Sequence, residues 1–165
     1  MNAPPDDRTA DAIDYIDIRR LQDAYADIVS RRQWHELDEV FRDDTVLDLD
    51  LRERTLRFVG PRAIGAFIGE SVSQFDFFQF VILGTRVETR VGGDPDAAAA
   101  RMYMTELRNT PAGHWSQIYG VYHDRFARVD GRWWFTHRTD HSLARYNMPA
   151  SVFDFPSHLS LDSLP

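Results

Sequence analysis

The sequence predicts an α+β domain in which three N-terminal helices pack on one face of a curved antiparallel sheet, giving a cone with an internal apolar pocket. Three observations lead there. The helical spacing of apolar residues ends at Val72. Strand-like runs then follow one another, separated by Gly- and Pro-containing loops. The last two of these, within residues 113–141 (GHWSQIYGVYHDRFARVDGRWWFTHRTDH), are joined by Asp130-Gly131, a pair that tolerates the positive φ of a two-residue hairpin turn.

In chain order, residues 1–12 are polar and acidic with Pro4 and Pro5 adjacent, the composition of a disordered leader. The domain proper is expected over 13–145, with 146–165 a tail or lid of the same domain. Over 14–31, Ile18, Leu21, Tyr25 and Ile28 recur at spacings of 3, 4 and 3, the stripe of an amphipathic helix. Residues 33–41 give a second, shorter helix with Trp34, Leu37 and Phe41 on one face, ended by Asp43-Asp44. Residues 45–51 alternate, with Leu47, Leu49 and Leu51 on one side and Asp48 and Asp50 on the other, and 55–59 pair back on them. Gly60-Pro61 opens a third helix, because proline in the first turn loses nothing by lacking an N–H; Ile64, Phe67, Ile68 and Val72 form its buried face. Residues 75–90 and 97–109 are long strands around a Gly92-Gly93-Asp94-Pro95 loop, the second in spite of four successive alanines that local propensity alone would make helical.

At 165 residues, 43% apolar and 13% aromatic, the chain can build one sizeable core. It has no Cys, which excludes a disulfide framework, a thiol nucleophile and a Cys-ligated metal. All 19 basic residues are Arg, so there is no Schiff-base or P-loop lysine. A net charge of -7 argues against a nucleic-acid partner and an anionic membrane. No apolar run reaches spanning length and the acidic N-terminus is unlike a signal peptide, so a cytoplasmic location is expected.

The hairpin holds most candidate acid-base groups, among them Tyr119, Tyr122, His123, Asp124, His137, Arg138, Asp140 and His141. Its register decides which face inward. With an unbroken ladder, Asp124 lies opposite His137, Tyr122 opposite Thr139 and Gly120 opposite His141. That gathers Tyr122, Asp124, His137 and His141 on one face as a catalytic set, a carboxylate fixing the tautomer of an imidazole base. A bulge after Phe135 turns Arg138 and Asp140 inward instead. The plainer alternative is a solvated or dimer-buried face where Asp and His pair structurally. His137 and His141 have the spacing of helix-borne metal ligands, but on a strand of period two no metal site is expected.

The stretches DAYADIVSRRQWHELDEVF, FVGPRAIGAFI, QFVILGTRVE and YHDRFARVDGRWWF resemble the nuclear-transport-factor-like cone fold, and within it the SnoaL-like branch that includes scytalone dehydratase and polyketide cyclases. The likeness covers roughly residues 13–158; residues 79–88 and Phe153-Asp154-Phe155 look similar to scytalone dehydratase in particular, whose C-terminal segment caps the pocket. The family's catalytic positions do not carry over. Its helix-one aspartate, four residues before the tryptophan matching Trp34, falls on Ser30, and the preceding tyrosine on Val29. Its strand histidine falls on Phe80 or Ile82, a second on Thr105. Tyr25 coincides with a pocket tyrosine of some dehydratases in the superfamily.

The resemblance implies a small-molecule enzyme that binds an apolar or polyketide-like substrate in the cone and catalyses dehydration, cyclisation or isomerisation without a cofactor. Tyr25, Phe80, Ile82, Thr105, Arg138 and Phe153 are the expected substrate contacts. The alternative is a non-catalytic hydrophobic-ligand or accessory subunit role, since Ser30 and Phe80 replace the dyad. A homodimer is expected because Trp133-Trp134-Phe135 puts aromatics on both faces of one strand. Residues 146–158, with Tyr146, Met148, Val152, Phe153 and Phe155, are expected to close over the cone's mouth or to reach a partner subunit.

Overall fold

A computed structural model describes residues 7–51 and 54–148. Phe153 and the expected lid beyond Met148 lie outside the described residues, as does the leader before Asp7. Helix α1 (Asp7–Arg31) begins well before residue 14, so residues 7–12, assigned to the leader, are its first turns. Tertiary contacts extend it. Asp11 accepts from Arg90 Nε at 3.0 Å and Thr89 Oγ1 at 3.2 Å, and the buried Asp14 accepts from Trp133 Nε1 at 3.1 Å and Arg128 Nη2 at 2.8 Å.

The second helix is a 3-10 segment, Trp34–Glu39, and Phe41 opens strand β1 (Phe41–Asp50) instead of closing the helix. The Phe41 ring is drawn into the core beside Tyr25 and Phe135, at centroid distances of 5.7 and 5.5 Å. Strand β2 (Thr55–Val59) pairs antiparallel with β1, and helix α2 (Pro61–Val72) follows. On α2, Gly65 and Gly69 leave the space Trp34 occupies: a Cβ on Gly69 would lie 3.0 Å from its Nε1.

Four long strands complete the fold: β3 (Phe77–Thr89), β4 (Ala97–Asn109), β5 (Trp115–Val129) and β6 (Arg132–Met148). The four alanines do open a strand, with Ala98 and Ala100 buried against the core. The sheet order is β2-β1-β6-β5-β4-β3. All pairings are antiparallel except β1 with β6, so the sheet is mixed. No tight turn links β1 to β6, so nothing local fixes their relative direction. Strand β6 takes in Tyr146, expected in the tail and 61% exposed.

Asp130 (φ 52°) and Gly131 (φ 78°) form the predicted turn, pairing Val129 with Arg132 and Phe126 with Phe135. The ladder then shifts by one residue. Thr136 is extra, so Arg125 meets His137, Asp124 meets Arg138 and Tyr122 meets Asp140. Trp133 and Phe135 enter the core, while Trp134 faces out with the Arg132 guanidinium 4.2 Å over its ring. Among the described residues no helix is long and apolar enough to cross a membrane.

Candidate functional site

The bulge at Thr136 places Arg138 and Asp140 on the inner face of β6, and strand alternation sets Tyr122 and Asp124 beside them on β5. The unbroken register that groups Asp124 with His137 and His141 is therefore not the one formed. Those histidines face outward: His137 Nε2 lies 2.8 Å from Asp48 Oδ2, and His141 Nδ1 lies 3.2 Å from Asp50 Oδ2. Arg57 donates twice to Asp48, both at 2.7 Å, and holds its carboxyl below the usual range; burial opposes this and His137 adds to it.

Inside, Arg138 is 0% and Asp124 1% exposed. Arg138 Nε donates to Asp124 Oδ1 at 2.8 Å, Gln22 Nε2 donates to Asp124 Oδ2 at 3.2 Å, and Arg19 Nη1 donates to Gln22 Oε1 at 3.2 Å. The guanidinium carbon sits 4.0 Å from the Tyr25 ring centre, 4.2 Å from Tyr122 and 4.4 Å from Phe135, a cation enclosed by π faces. Burial works against the Arg138 charge, yet Asp124 and the two tyrosines outweigh it and raise its pKa. Burial pushes Tyr25 up to about 12 and Tyr122 well above the ordinary phenol value, so both stay protonated donors.

Asp140 differs. Burial, then the neighbouring Glu106, push its carboxyl up to about 7, against the pull of Arg138, His141 and Arg108. Its Oδ1 and Arg138 Nη1 are buried with no hydrogen-bond partner. Gly120 on β5 is what lets Asp140 sit there, because a Cβ would meet Oδ1 at 3.1 Å and Met104 Sδ at 3.3 Å. Glu106 is itself ion-paired with Arg108. The arrangement can exchange a proton near neutrality at Asp140 and donate from Tyr25, Tyr122 or Arg138.

Of the expected substrate contacts, Tyr25 and Phe80 meet in the core edge to face at 5.4 Å, and half-buried Ile82 packs against the same cluster. Thr105 does not join them. It alternates away from the core residue Met104, donating to Ile118 O at 2.8 Å and accepting from Gln117 Nε2 at 3.1 Å. Ser30 and Phe80 do meet: Phe80 N donates to Ser30 Oγ at 3.0 Å, and Ser30 Oγ lies 3.3 Å from Phe80 O. The sequence reading missed Gln22, whose signal was its spacing of 4 and 3 from Ile18 and Tyr25 on a helix, and Glu106, two residues beyond Met104 on the inner face. Among the described residues no group of three or more His, Asp or Glu side chains could hold a metal ion.

This cone of helices on a bent sheet has relatives. The profile of the SnoaL-like domain matches residues 10–139. The chain belongs to the SnoaL-like family. Solved structures similar to this SnoaL-like chain include the hexachlorocyclohexane dehydrochlorinase LinA-type3 from Novosphingobium barchaimii, at 18% identity and TM-score 0.75 over 90% of this chain and 99% of that one. A provisional scytalone dehydratase from Novosphingobium aromaticivorans is similar at 16% identity and TM-score 0.72, over 88% and 93%. The Kfla4162 protein from Kribbella flavida matches at 19% identity and TM-score 0.72, over 82% and 94%. At these identities the likeness shows a shared fold. No curated protein matches the chain.

Proposed function

We propose that this SnoaL-like protein binds an apolar or polyketide-like small molecule in the cone and catalyses a cofactor-free proton transfer, namely a dehydration, cyclisation or isomerisation, with Asp140 as the acid-base group. The observation that carries this is a pair of open polar atoms, the donor Arg138 Nη1 and the acceptor Asp140 Oδ1, on alternate residues of one strand face. A buried polar atom without a partner costs about 1–3 kcal/mol, so of the four such atoms among the described residues, these two on one strand face are poised for a ligand that satisfies both. A carbonyl oxygen suits Arg138 and an acidic C–H or a departing hydroxyl suits Asp140, two residues further along the strand on the same face. Tyr122 and Tyr25 are the neighbouring donors, and Asp124 positions Arg138. Two of the structural neighbours carry the names of eliminating enzymes, a dehydratase and a dehydrochlorinase, which agrees with this chemistry.

The test is a thermal-shift screen with aromatic β-hydroxyketones, followed by mass spectrometry for loss of water. Asp140→Asn is expected to keep ligand binding and lose turnover by at least about 100-fold; unchanged turnover would overturn the assignment. A second reading, non-catalytic ligand binding, is favoured by Ser30 and Phe80, which meet without an acid or base between them. Ligands that bind with no product in any case would support it.

One assembly feature belongs to the same proposal. A homodimer is part of it, which a 19.1 kDa species in sedimentation at micromolar concentration would rule out.

A further inference from the structure

The outer face of the sheet carries a charge pattern that the proposed reaction leaves unused. Register sets Arg86 directly opposite Arg101, and Arg101 opposite His123, in one row across β3, β4 and β5. Arg125, two residues along β5 on the same face, lies between Ala99 and His137. Arg86, Arg101, His123 and Arg125 are all exposed. The short side chain of Ala99 leaves a depression among them. One part, about 330 Å³, is bounded by Arg86, Glu88, Arg101 and His123. A second, about 270 Å³, continues past His123 to Arg125, His137 and Thr139.

Like charges directly opposite on neighbouring strands destabilise a sheet. Elsewhere this chain pairs its arginines with carboxylates, as at Arg31, Arg57, Arg128 and Arg138. Among the described residues Arg86, Arg101 and Arg125 form no salt bridge. The nearby carboxylates do not fill the gap. Glu88 lines the depression but offsets only one of the three arginine charges, Asp124 turns inward to Arg138, and Asp48 and Asp50 are engaged by Arg57, His137 and His141. A protein of net charge -7 thus keeps a local cationic groove whose charges are unbalanced.

We propose that this groove binds a free small molecule carrying a phosphomonoester, its phosphate held by Arg86 and Arg101 with His123 and Arg125 at its flank. Guanidinium forks match phosphate oxygens bidentately, and a dianion offsets the opposed arginines in a way that a single carboxylate cannot. The row spans about 10 Å, two strand spacings, which admits a phosphate with an organic group lying toward Thr139. The groove is on the far side of the sheet from Asp140, so the proposal stands apart from the interior reaction.

Isothermal titration at low ionic strength with inorganic phosphate and with phenyl phosphate tests it. Both are expected to bind saturably, phenyl phosphate more tightly. The Arg86→Gln/Arg101→Gln double variant should weaken both at least tenfold, Arg125→Gln should weaken them less, and the exposed Arg62→Gln should change nothing. Because the arginines repel one another, the double variant without phosphate should melt no lower than wild type, and phosphate should raise the Tm of wild type alone. This melting comparison also verifies folding. The proposal is overturned if neither probe saturates, or if the double variant binds as well as wild type. It is also overturned if anionic phospholipid vesicles bind through these arginines while the free probes do not. A double variant that changes sedimenting mass while wild type ignores phosphate would make the face a subunit contact, and that too would overturn it.

Discussion

The two faces of the sheet present the same chemical pair in opposite settings, the inner one between β5 and β6 and the outer one between β1 and β2. Inside, Arg138 meets Asp124 at 2.8 Å with both side chains 0% exposed; outside, Arg57 meets Asp48 at 2.7 Å with side-chain exposures of 64% and 14%. Distance does not tell them apart. The outer pair forms in water, where charges are screened and side-chain entropy offsets most of the gain. The inner pair is obligatory, because removing either partner strands a charge that the core cannot solvate. A short contact therefore reports geometry, and burial decides whether the molecule depends on it.

The most severe way to probe this difference is Asp124→Ala, which leaves Arg138 charged among three aromatic rings; a loss of about 3–5 kcal/mol in urea unfolding is expected. Next comes Asp140. Its folded pKa, about 7, stands above the ordinary 3.8, so the unfolded chain gives up this proton first. Stability from this site is full below pH 3.8, declines as pH rises toward 7 and is level above. The whole decline is at most about 4 kcal/mol, less for residual solvation. Asp140→Asn should flatten that part of a Tm profile between acid and neutral pH. Gly120→Ala crowds Asp140 Oδ1 and Met104 and should cost about 1–3 kcal/mol by chemical denaturation. Smallest is His137→Ala on the outer face, expected within about 0.5 kcal/mol of wild type and without effect on turnover. A large loss there would erase the contrast between the faces.

Much of the fold was legible because local chemistry and tertiary demand agree. Asp130-Gly131 could only be a tight turn, Gly60-Pro61 only a helix start, and the Leu47, Leu49, Leu51 alternation only a half-buried strand. The site was less legible. A bulge at Thr136 has no compositional mark, yet that one residue exchanges His137 and His141 for Arg138 and Asp140 on the inner face. Asp14 and Gln22 look like ordinary polar helix residues until β5 and β6 pack against them. The 3-10 turn at Trp34 depended on two glycines in α2, more than thirty positions away in the chain.

The parallel pairing of β1 with β6 also governs when the protein can fold. Thr45 Oγ1 donates to Phe135 O at 2.7 Å across a separation of 90 residues. On the ribosome, β1 and β2 emerge early as a ribbon whose β1 edge is open, and the strand that covers that edge is the last of the described strands to appear. Folding from the N-terminus onward cannot complete the sheet, so the nascent chain must carry its apolar strands uncommitted until β6 is free. A polymerase or ribosome that stops short of β6 would release a chain with that edge still bare, a template for self-association that the finished molecule never presents.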